Sequence, residues 1–200
     1  MGDFTGLDSV DVYAYSILLI DLSIAVVMIS GLRFLTGLVA NVDSAEELAS
    51  RDNAAFGIAM AAGTVSLALM LTGAVSGELG ASYLEEIVSV GSYGLLGLVL
   101  IKVGRLIQDK VLLRGIEIQS QIKSGNVAAA LVDAANTIAI GLILRAVMLW
   151  VESETLSGLL VVLAAFVITQ LLLALVTSYR IQVFARRNNG NSLQQAFAEG

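Results

Sequence analysis

The sequence predicts an all-α integral membrane protein with five transmembrane helices. Three observations carry this. The chain is 57 % hydrophobic and only 14 % charged, with a mean hydropathy of +0.86. A water-soluble domain is about a quarter charged, so lipid must cover much of this apolar surface. Five apolar stretches each reach the roughly 20 residues that a spanning helix needs. Of eleven basic residues, all but Arg145 fall at the far end of an odd-numbered stretch or in the connector after it.

The first span is Val12–Val39. It follows a tail, Met1–Asp11, that carries acids and no base, so it is a retained helix and not a secretory signal. The second is Asn53–Val75, the third Ile87–Leu106, the fourth Val127–Val151 and the fifth Leu156–Val176. The odd-numbered helices are expected to run on past the bilayer, into the segments holding Arg33, Arg105 to Lys110 and Arg180 to Arg187. The chain has no proline, so none of these helices carries a proline kink.

Connectors on one side, Met1–Asp11, Ser76–Glu86 and Glu152–Thr155, hold acids and no Lys or Arg. The other side holds Arg33, Arg51, Lys102, Arg105, Lys110, Arg114, Lys123, Arg180, Arg186 and Arg187. The positive-inside rule places the N-terminus outside and the C-terminus in the cytoplasm.

The joints between spans repeat. Asn53-Ala-Ala-Phe-Gly-Ile opens the second span and Asn126-Val-Ala-Ala-Ala-Leu opens the fourth. Each follows a short amphipathic stretch, with Ala45 and Ala49 in the first and Ile118 and Ile122 in the second. Ser44 and Glu47 form a capping box at the start of the first stretch. Leu193 and Phe197 stand 75 residues after Ile118 and Ile122, and Arg180 the same distance after Arg105. The reading is of parallel repeats: a first two-helix unit over 1–78, a second over 79–151, and a half unit over 152–200. The third unit reaches Gly200 one residue short of its Asn, so the expectation is either an odd span count or, favoured here, a sixth helix in the native chain.

Composition excludes much chemistry. There is no cysteine and no histidine, which removes thiol nucleophiles, Ser-His-Asp triads, zinc motifs and His-held haem. No phosphate loop or dinucleotide fingerprint is present. A net charge of −6 argues against nucleic acid as a partner. No enzyme, no metal site and no cofactor is expected.

Four polar residues within the spans form the candidate intramembrane site: Asp21, Lys102, Asp133 and Asn136. Ionisable groups in a membrane are costly and face the bundle or a wet cavity. Counted along their helices, Asp21 and Asp133 lie at similar depth, with Lys102 near Asp133 and Asn136 one turn beyond it. These residues serve either a proton or cation path, with Lys102 as counter-charge, or an Asp133–Lys102 pair that locks the helices. Arg145 is expected to pair with Glu152, Glu85 or Glu86. Asn53 and Asn126 read as helix N-caps. Ala55, Ala59 and Gly63, Ala130 and Ala134, Ala135 and Ala139, and Gly97 and Gly104 are spaced for close helix packing in lipid. Lys110, Arg114, Ile118, Ile122 and Lys123 form a cytoplasmic face for anionic headgroups or a partner helix.

The joint Asp52-Asn53-Ala-Ala-Phe-Gly-Ile, Leu-Thr-Gly-Ala-Val-Ser-Gly at 71–77 and Gly125-Asn126-Val-Ala-Ala-Ala resemble the YjfL-type family of prokaryotic inner-membrane proteins, a domain of unknown function. The resemblance covers roughly residues 12–150. It implies a plasma-membrane location and a cytoplasmic partner from membrane-stress systems of the phage-shock type, and it implies no reaction.

Two functions follow as expectations. One is a non-enzymatic scaffold, adaptor or accessory subunit, a homo-oligomer or joined to another membrane subunit. The other is a small proton or cation transporter that uses Asp21 and Asp133.

Overall fold

The helical periods of the apolar stretches are realised in a computed structural model, which describes residues 12–40, 44–76, 81–113, 115–151 and 156–188. The elements in order are α1 (Val12–Ala40), α2 (Ser44–Ala49), α3 (Ala54–Ala74), α4 (Tyr83–Ile107), a π-helical turn (Gln108–Leu112), α5 (Ile118–Lys123), α6 (Val127–Met148) and α7 (Leu156–Arg187). Five of these helices are long and apolar enough to cross a membrane. No strand occurs among the described residues. The chain is thus an all-α protein, with five membrane-spanning helices and two short helices between them among the described residues.

Local sequence sets the boundaries. α4 starts at Tyr83, four residues before the expected Ile87, because Ser82 caps it. The Ser82 hydroxyl accepts from the Glu85 backbone N–H at 3.3 Å, while the Glu85 carboxylate accepts from Ala81 N–H at 3.0 Å. That places Glu85 and Glu86 in the first turn, where the helix dipole favours acids. The odd-numbered spans do run on: α1 to Ala40, α4 through its π turn to Leu112 and α7 to Arg187. The fourth span ends at Met148, not Val151, with Leu149 as its C-cap.

The centre is a parallel pair, α3 and α6, which share the broadest helix–helix contact. Two glycines bring them together. A Cβ on Gly141 would lie 2.6 Å from the Ser66 carbonyl oxygen, and one on Gly73 would lie 2.8 Å from that of Arg145. In lipid such backbone approach supplies packing that hydrophobicity cannot. Ser66 seals the contact by donating to the Thr137 carbonyl at 2.8 Å. Ala55, Ala59, Ala129 and Ala130 bury in the same interface. Ala135 and Ala139, by contrast, line an open groove beside α7.

Around this pair, α4 packs on α3 and α6, α1 on α4 and α3, and α7 on α6 and α4. The main apolar cluster includes Leu67, Met70, Tyr93, Ile101, Ile140, Leu144 and Phe166. α1 and α7 expose long apolar faces. Leu18, Leu22 and Val26 stand on one, and Val167, Ile168, Leu171 and Leu175 on the other. Acyl chains cover such surface in a bilayer.

A second buried cluster closes the basic end. Ile118 and Ile122 of α5 are 1 % and 2 % exposed and pack with Ala55, Phe56, Ala59, Leu113, Ile116, Ala129 and Ala130. This corrects the expectation of a lipid- or partner-facing role for these two isoleucines. The i, i+4 pair turns inward because the alanine-rich starts of α3 and α6 leave an apolar recess there.

Candidate functional site

The basic ends of α3, α4 and α6 converge on a buried polar cluster, with α5 folded across it. Asp133, 1 % exposed on α6, receives both arms of Arg105 on α4: Nε donates to Oδ1 at 3.1 Å and an Nη to Oδ2 at 2.6 Å. Gln119 of α5 donates to the same Oδ1 at 3.2 Å. The guanidinium fork matches a carboxylate edge, and charge-assisted bonds of this kind are strong.

The partner of Asp133 is therefore Arg105 and not the expected Lys102. Lys102 lies three residues earlier on α4, close enough for its charge to act on both Asp133 and Arg105. The arginine wins the contact because it reaches both oxygens at once.

The π turn extends the cluster. Gln108 donates to the Val132 carbonyl at 3.3 Å, and Asp109 accepts from the Gln119 backbone N–H at 3.3 Å. Asp109 also pairs with the exposed Lys110 at 3.2 Å. Glu117 and Gly115 take left-handed backbone conformations, φ 51° and 86°, to turn the chain into α5.

Asn53 forms the second half. Its Oδ1 accepts from Phe56 N–H at 3.0 Å and caps α3. Its Nδ2 lies 3.1 Å from Glu47 Oε2, from the Ile122 carbonyl and from the Lys123 carbonyl. One side chain thus caps the start of α3 and the end of α5. Glu47 is held in turn by Arg51 at 3.1 Å. Asn126 caps α6 through Ala129 N–H at 3.1 Å and donates to Gln121 at 3.1 Å. Lys123 is exposed, and Arg114 lies outside the described residues, as do Glu152 and the tail residues Leu193 and Phe197.

The other candidates do not join this cluster. Asp21 neighbours Glu86, the fourth residue of α4, toward the acidic end. Glu86 and Arg105 are nineteen residues apart, about 28 Å along the helix at about 1.5 Å per residue. Asp21 and Asp133 are therefore not at one depth. Each was placed by counting inward from an opposite end, and α4, at 25 residues, is longer than a minimal span. Asn136 lines the groove between α6 and α7 instead of joining Asp133. Arg145 donates to the Thr72 hydroxyl at 3.0 Å in place of the expected Glu85 or Glu86, which serve the first turn of α4 and Asp21.

Sequence reasoning missed Arg105, Gln119, Glu47 and Glu86 as site residues. The signal for Arg105 was its type, since a buried bidentate site favours arginine over lysine.

A cavity of about 20 Å³ lies beside Arg105 and Gln119. The groove between α6 and α7 is far larger, about 870 Å³. Asp133 lines neither. Among the described residues no group of three or more acidic side chains is placed to hold a metal ion.

A family model, Domain of Unknown Function (DUF350), matches residues 9–148. No curated protein and no solved structure matches the chain.

Proposed function

We propose a role for a chain that belongs to the Domain of Unknown Function (DUF350) family: a non-enzymatic scaffold or accessory subunit of the prokaryotic plasma membrane. The observation that carries this reading is the state of Asp133. Its carboxylate accepts three hydrogen bonds from Arg105 and Gln119, and its charge is matched by the guanidinium. A relay group must exchange partners, whereas this one is held by two residues through three hydrogen bonds.

Rigid contact between α3 and α6 supports the same reading, as does the separation of Asp21 from Asp133. The orientation follows from the basic connectors, with the polar cluster at the cytoplasmic end. The two-helix units form parallel repeats, and the exposed faces of α1 and α7 serve contacts within a homo-oligomer or with another membrane subunit. A cytoplasmic membrane-stress partner docks at the same end as the polar cluster.

Reconstitution into liposomes tests this. With a pH-sensitive dye inside, the wild-type protein should give no proton or cation flux above empty vesicles. Flux that disappears in Asp133→Asn would overturn the scaffold reading in favour of a small transporter.

A further inference from the structure

The groove between α6 and α7 differs in chemistry along its length. Toward the bilayer it is lined by Ala135, Ala139 and Leu173; toward the basic end, by Arg180 and Arg187. The two arginines are seven residues apart, on one face of α7 and two turns from each other. No acidic side chain lines the groove among the described residues. Two of the lining residues carry a buried polar atom without a hydrogen-bond partner: Gln108 Oε1 and Asn136 Nδ2. Gln108 is more than nine-tenths buried. A buried polar atom without a partner is costly, so a ligand that supplies one donor and one acceptor is favoured here.

We propose that this groove is a binding site for an anionic glycerophospholipid drawn from the bilayer. The phosphate sits against Arg180 and Arg187, an ester carbonyl accepts from Asn136, a headgroup hydroxyl donates to Gln108, and one acyl chain lies along Ala135, Ala139 and Leu173. The volume of about 870 Å³ falls within the range of ligand pockets. Basic pockets between spanning helices on the cytoplasmic side suit such headgroups. This site meets the Arg105–Asp133 cluster at Gln108 and does not rest on the scaffold reading.

The test uses the full chain in dodecyl maltoside micelles, with dioleoyl phosphatidylglycerol or dioleoyl phosphatidylcholine added at equal mole fraction. Phosphatidylglycerol should raise the melting temperature and phosphatidylcholine should not. Arg180→Gln with Arg187→Gln should weaken the phosphatidylglycerol effect about tenfold in lipid concentration. Ala139→Phe keeps every charge but fills the acyl wall, and it should weaken the effect as well. Equal shifts from both lipids, or a phosphatidylglycerol shift unchanged in both variants, would overturn the proposal. So would a cross-link between copies through Val183→Cys that added lipid does not displace, which would give the groove to a second copy.

Discussion

Gly141 of α6 lies directly on the backbone of Ser66 of α3, so close that a single added carbon would sit 2.6 Å from the Ser66 carbonyl oxygen. Backbone cannot move aside as a side-chain tip can. Gly141→Ala should therefore destabilise the protein by about 1–3 kcal/mol. Gly91 of α4 has no such neighbour within 4 Å. Gly91→Ala should be neutral or stabilise by up to about 1 kcal/mol, the helix-propensity difference. Melting curves in one detergent compare the two, and equal effects would contradict the close contact.

Asn53 should be more sensitive than Asn126. Asn53→Asp keeps the cap acceptor but sets a carboxylate against Glu47 and two carbonyls. Asn126→Asp faces Gln121, whose amide can rotate to donate. The first substitution should lower the melting temperature clearly and the second only slightly. Comparable losses would show that the bridge from α3 to α5 carries no stability.

Ile122 reports on the inward face of α5. Ile122→Ala should cost about 2–4 kcal/mol, as for a buried aliphatic side chain. Lys123→Ala, at an exposed neighbour, should change stability by less than about 0.5 kcal/mol. Equal small effects would return α5 to the headgroup surface.

The chain has no cysteine, so one introduced cysteine is a unique label. Ala81 and Lys110 are both exposed and lie at opposite ends of α4. In intact cells a membrane-impermeant maleimide should react at Ala81→Cys and not at Lys110→Cys. The opposite pattern would reverse the orientation.

Much of the fold is legible in the sequence because length and hydropathy alone define a spanning helix. The five spans, their extensions past Arg33, Arg105 and Arg180, and the two short helices all follow from such one-dimensional signals. The site is less legible because it depends on register between helices. Lys102 and Arg105 are three residues apart on one helix, and only packing decides which meets Asp133. The depth of Asp21 is hidden for a related reason: counting inward from opposite ends brings Asp21 and Asp133 level only in a bundle as short as a minimal span. The inward turn of Ile118 and Ile122 depends on a recess made by alanines far earlier in the chain, at Ala55 and Ala59. The π turn at Gln108–Leu112 has no sequence signature, yet it places Asp109 on Gln119.

The Arg105–Asp133 pair is tested most directly by a double-mutant cycle on unfolding free energy in mixed micelles, with Arg105→Met, Asp133→Leu and both together. A structural pair predicts that each single substitution costs about 3–5 kcal/mol, since it strands a buried charge, and that the double variant returns close to wild type. Single effects that add in the double variant to within about 0.5 kcal/mol would show the two residues to be uncoupled and would contradict the pairing.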